Sequence, residues 1–159
     1  MTRLGRHMAL ELLMLVVVSL AGARGGSPGQ ASKDGKSAAP LFSEADAVRL
    51  LADLQQALEG NDQRRFLKLF DPRRMSNYAS FQDQVTEFFD KYESFRMRYH
   101  ITQIFAETDL GIVLADLELE ATPAGASVPD RRNIQLRLVA AWDGKRWKVV
   151  DWRPRSVLS

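Results

Sequence analysis

Apolar positions in residues 43–159 recur first at the helical period and then at the strand period. Ala47, Leu50, Leu51, Leu54, Ala57 and Leu58 share one face of a helix. Ser43-Glu44-Ala45-Asp46 resembles a capping box at its start, and Gly60 is placed for its C-terminal cap. Asp62 caps a short second helix carrying Phe66, Leu67, Leu69 and Phe70, which Asp71-Pro72 stops. A third helix is predicted from about Tyr78 to Tyr92. Its stripe of Phe81, Val85, Phe88, Phe89 and Tyr92 reads as core.

The period then falls to two. Phe95, Met97, Tyr99 and Ile101 alternate with Arg96, Arg98, His100 and Thr102. Val113, Ala115, Leu117, Leu119 and Ala121 alternate with Leu114, Asp116, Glu118 and Glu120. Such alternation marks antiparallel strands with one buried face. A Pro/Gly-containing loop, Thr122 to Asp130, leads into a closing hairpin over Asn133 to Pro154. Asp143-Gly144 sits at its centre, a strong turn signal because Gly adopts positive φ freely. Strict alternation puts Leu136, Leu138, Ala140, Trp147, Val149 and Asp151 on one face of the hairpin. Val139, Ala141, Val150 and Trp152 fall on the other, whether the loop has two residues or four. Three helices followed by four antiparallel strands make an α+β domain, with the helices packed on a curved sheet.

This order resembles the nuclear transport factor 2-like superfamily, the cone-shaped cystatin-like α+β fold. The resemblance is carried by "LADLQQALEGNDQRRFLKLFDP" (51–72) and "WDGKRWKVVDWRP" (142–154). It covers residues 42–156 and is similar to small secreted bacterial members. Many members have a β-hairpin between the second and third helices, and Arg73 to Asn77 leaves little room for one. The resemblance implies a cone that is a pocket in some members, the ketosteroid isomerase-like enzymes among them, and a filled core in others. Members often dimerise across their sheets.

The chain ahead of the domain has a different composition. Arg3, Arg6 and His7 precede the apolar "MALELLMLVVVSL", and Ala21-Gly22-Ala23 supplies a small-residue cleavage pattern. Residues 1–25 therefore read as a signal peptide, with a mature N-terminus close to Arg24. The uncharged run Leu12 to Leu20 is too short to span a bilayer. Residues 26–40 are rich in Gly, Ser, Ala, Lys and Pro and read as a disordered linker, and 41–159 as the folded domain. The expected destination is the periplasm or the exterior.

Charge follows the same division. The net charge is +2, with a pI near 9.1. Residues 1–40 hold five Lys/Arg against two Asp/Glu, and residues 41–159 hold seventeen against eighteen. The basic excess thus belongs to the leader and linker, and no nucleic-acid partner is expected for the domain. With no cysteine and only His7 and His100, neither a thiolate site nor a histidine-rich metal site is available, and no metal or cofactor is expected.

Few residues remain for chemistry. His100 is in phase with Arg96 and Arg98, on the polar face. Asp116, Glu118 and Glu120 share that face, where cross-strand pairing with arginines explains them. Asp151 alone is a carboxylate in the apolar phase, with Tyr99 and Trp147 as companions in a candidate pocket. It is read as a structural group bonded to a backbone amide or an arginine, the catalytic alternative being a raised pKa and proton transfer. The sequence thus points to an exported, non-catalytic domain that binds a protein partner or a small apolar ligand. The alternative is a small isomerase- or hydratase-type enzyme using Asp151. A homodimer through Val139, Ala141, Val150 and Trp152 is also expected, since an apolar surface with a Trp commonly marks an interface.

Overall fold

Ser43 caps the first helix as its spacing predicts. The Asp46 amide donates to Ser43 Oγ at 3.2 Å, and the Ser43 amide donates to the Asp46 carboxylate at 3.0 Å. The computed structural model describes residues 39–159. The expected signal peptide, and the expected linker as far as residue 38, lie outside the described residues.

Helix α1 (Glu44–Glu59) buries Ala47, Leu50, Leu51, Leu54, Ala57 and Leu58, the whole expected stripe. Helix α2 (Gln63–Leu67) starts where the Asp62 carboxylate accepts from the Arg65 amide at 2.8 Å. Helix α3 (Tyr78–Lys91) buries Phe81, Val85, Phe88 and Phe89. Tyr92 follows directly as the first residue of strand β1 (Tyr92–Ala106). Strands β2 (Leu110–Pro123), β3 (Asp130–Trp142) and β4 (Trp147–Arg153) complete one antiparallel sheet in chain order. A 3-10 turn, Arg155–Leu158, buries Val157 and Leu158 at the chain's end, a feature the hydrophobic pattern did not suggest.

One core joins the helix stripes to the inner face of the sheet, where Met97, Leu119, Leu136, Leu138 and Val149 are almost fully buried. Burial of this apolar surface is the main force holding the layers together. Both sheet edges receive local cover. On β1, Gln55 Nε2 donates to the Met97 carbonyl (2.8 Å), and the Met97 amide donates to Glu59 Oε1 (2.9 Å). On β4, Val149 gives its amide to the Leu69 carbonyl and accepts from the Asp71 amide, both at 2.9 Å, in a short parallel bridge centred on Phe70. Paired edges are closed to further strands. The chain between α2 and α3 thus joins the edge of β4 and forms no hairpin, consistent with the short spacing of 73–77.

Besides a register shift at Glu93, where β1 begins, two β-bulges break the alternation. The first is at Thr102, between the pairs Ile101↔Ala115 and Gln103↔Leu114. The second is at Val150, between Ala140↔Val149 and Val139↔Asp151. An extra residue in one strand reverses the facing of everything beyond it. These bulges decide where the candidate site residues lie.

Candidate functional site

The closing hairpin has a four-residue loop, with Trp142 paired to Trp147. The Asp143 carboxylate accepts from the amides of Lys145 and Arg146 at 2.8 and 2.9 Å, and Gly144 takes φ 102°. Burial alone would raise the Asp143 carboxyl. The two amides, with the charges of Lys148 and Arg146, outweigh that and hold it below the usual carboxylate range. Up to Val149 the faces match the alternation, with Ala140, Trp147 and Val149 all in the core.

Beyond Val150 the phase reverses, which corrects two expectations. Trp152 pairs with Leu138 and enters the core at 2% exposure, with its ring 6.2 Å from Phe66 and 6.1 Å from Phe70. It is therefore not exposed on the outer face. Asp151 turns to the outer face opposite Val139, where Arg137 Nη1 approaches at 3.3 Å and Arg153 Nε at 3.2 Å. It therefore does not share an interior pocket with Tyr99 and Trp147. Asp151 is thus bonded to two arginines, on the outer face.

Trp147 lies in the core with its ring 4.8 Å from Phe42, nearly perpendicular at 82°. Phe42 in turn occupies the space over Gly111, where a Cβ would overlap its ring. Tyr99 is half-buried and packs against the same core from β1. The three tryptophan Nε1 atoms are buried without hydrogen-bond partners among the described residues. Each indole lies in a steeply angled contact with another aromatic ring, the arrangement in which ring edges meet a π face. Lys148 is the one charged side chain buried among the described residues.

The outer face carries the charges expected of it. Arg98 meets Glu118 at 3.4 Å and Arg131 meets Glu120 at 3.1 Å, while exposed His100 stands opposite Asp116. Exposed pairs of this kind contribute about 0–1 kcal/mol each. Arg137 is not paired with the acids of β2: its cross-strand neighbour there is Leu114, and its ion pair is with Asp151.

Sequence reasoning missed two regions. The first is an apolar row on the outer face, Phe105, Ile112 and Val139, which become neighbours across three strands because of the bulge at Thr102. Phe105 is 49% exposed and Ile112 half-buried. Val139 and Ala141 do lie on this face, but their neighbours bury them to 8% and 1% exposure; Val150, the bulge residue, is half-buried. An alternation that fails after Ile101, with Ile104 and Phe105 both apolar, was the available signal. The second region surrounds Lys148, which sits opposite Ala141 and donates from Nζ to the Lys68 carbonyl. Burial pushes its amine below the ordinary lysine range. The Arg146 charge acts in the same direction, and Asp143 and Asp71 oppose it. No local pattern distinguishes this lysine from an exposed one.

No protein-family model matches the chain, and no curated protein matches it. Solved structures do. A nuclear transport factor 2-like superfamily protein from Salmonella enterica superposes with a TM-score of 0.60 at 9% identity, over 68% of this chain and 86% of that one. A conserved protein from Planctomyces limnophilus gives 0.59 at 10% identity, over 69% and 91%. A hexachlorocyclohexane dehydrochlorinase (LinA) type 2 gives 0.53 at 9% identity, over 68% and 80%. At these identities the likeness concerns the fold. With three helices on a curved four-stranded antiparallel sheet, the chain has the nuclear transport factor 2-like fold.

Proposed function

We propose that this chain is an exported, non-catalytic binding domain, a small secreted bacterial variant of its fold, that works through its outer surfaces. The observation carrying this reading is the composition of the cone interior. Phe42, Phe81, Phe88, Met97, Leu138 and Trp147 are all at or below 7% exposure in a single apolar cluster. General acid–base chemistry needs a titratable group within reach of a bound substrate. Asp151, the carboxylate the enzyme reading depends on, pairs with two arginines on the opposite face. Export rests on the composition of residues 1–25.

The test uses small apolar probes, benzene and xenon, with methyl NMR resonances of Leu51, Met97 and Leu138 as reporters. Densely packed interiors leave no room for such probes. The interior methyls should hold their shifts at saturating probe. Saturable shifts there would reveal an interior site and favour the isomerase- or hydratase-type alternative.

A second copy of the chain is the partner proposed for the outer face. Phe105, Ile112 and half-buried Leu114 supply apolar surface there, with Arg137, Asp151 and Arg153 beside it. An apolar centre with a polar rim is the usual anatomy of an interface. Sedimentation at tens of micromolar should give a dimer for the wild type and a monomer for Phe105→Glu, the variant remaining folded because Phe105 is exposed. A wild type that stays monomeric at about 100 μM would exclude a standard-sized interface here.

A further inference from the structure

The chain leaves α2 at Leu67, runs along the edge of β4 through Phe70, turns at Pro72 and enters α3 at Tyr78. Between these elements lies an open depression of about 560 Å³, within the size range of small-molecule sites. Its walls divide by chemistry. Leu67, Phe70, Pro72 and the Tyr78 ring supply apolar surface. Arg64, Lys68 and Lys148 supply positive charge, and no carboxylate among the described residues lines the depression.

Lys148 is the unusual member. The residue is 9% exposed, and among the described residues its ammonium donates only to the Lys68 carbonyl. An ammonium has three donors, so capacity remains. Among the described residues, none of Arg64, Lys68 and Lys148 is in an ion pair. The two acids that act on Lys148, Asp71 and Asp143, line the neighbouring groove together with Arg73 and Arg74. Lys148, Phe70 and Pro72 stand between groove and depression and line both, and no carboxylate among the described residues is in ion-pair contact with the ammonium. Burying a cation without a contacting anion is costly, and an anion seated beside it would offset that cost.

We propose that this depression binds a small carboxylic acid with an apolar body. Arg64, Lys68 and Lys148 surround the carboxylate, and Leu67, Phe70 and Pro72 receive the body. The charge selects an anion, and the apolar wall selects against bare inorganic ions. This extends the binding-domain reading to a surface outside the cone, so its failure would leave the interior-methyl test unaffected.

The full chain is titrated with phenylacetate, with neutral phenylacetamide and with acetate, following backbone amide shifts. Phenylacetate should saturate, moving amides of Arg64, Lys68 to Phe70 and Tyr78. It should bind at least about tenfold tighter than either control, the discrimination expected of charge-assisted bonds, and weaken with added salt. Arg64→Gln and Lys148→Met should each weaken phenylacetate by about tenfold and leave phenylacetamide unchanged. Arg64 is exposed, so Arg64→Gln discriminates even if Lys148→Met folds poorly. Equal binding of acid and amide, shifts mapping elsewhere, no saturation, or wild-type affinity in Arg64→Gln would each overturn the proposal.

Discussion

Replacing Trp152 by glutamate is expected to unfold the domain. Were the strand strictly alternating, Trp152 would lie on the outer face and this change would only weaken self-association. The bulge at Val150 places the indole instead beside Phe66 and Phe70 and across from Leu138, at 2% exposure. Loss of a buried aromatic side chain costs about 3–5 kcal/mol, before any charge is considered. The carboxylate would have no partner among these residues, which adds several kcal/mol or forces protonation. Against a domain stability of about 5–15 kcal/mol, the sum consumes most or all of the margin. Near-ultraviolet circular dichroism and urea melts report the outcome. A Trp152→Glu protein that melts like the wild type would show that the strand does not reverse its phase at Val150.

The second large effect is expected at Gly111. The Phe42 ring lies where a Cβ on this residue would be, so Gly111→Ala must displace the ring or the strand. Overpacking of this kind typically costs about 1–3 kcal/mol. Expelling Phe42 altogether forfeits a comparable amount through its lost burial. The diagnostic is coupling. In a Phe42→Ala background the added methyl enters space already vacated, so Gly111→Ala should cost much less there or stabilise. Urea denaturation of the two single variants, the double variant and the wild type gives the coupling energy, expected at about 1–3 kcal/mol for residues in direct contact. Additive costs would mean that Phe42 does not seat on Gly111, and that this part of the inner face is open.

Of the candidate site, the sequence carried less than it did of the fold. The tryptophans, Tyr99 and Asp151 stand out in the sequence as unusual, yet the face each occupies followed the alternation only as far as the bulges. Asp151 and Trp152 exchanged faces together, as a single inserted residue requires. The groups around the depression near α2 come from residues 63–78 and 148, and each by itself looks like an ordinary surface or core residue.

The amino-acid sequence by itself determined the capping of α1, the buried stripes of α1 and α3, the loop at Asp143-Gly144, and the strand faces before each bulge. These depend on interactions within a few residues or on a period that one buried face imposes. Only the tertiary structure decided the rest. Whether a strand bulges depends on what its neighbours demand: Val149 bonds to Leu69 and Asp71 on one side, and Trp152 must still meet Leu138 of β3 on the other. That partnership spans about eighty residues and leaves no local trace. The burial of Lys148 arises in the same way, because the segment that forms the bridge to Val149 also carries the Lys68 carbonyl to its ammonium.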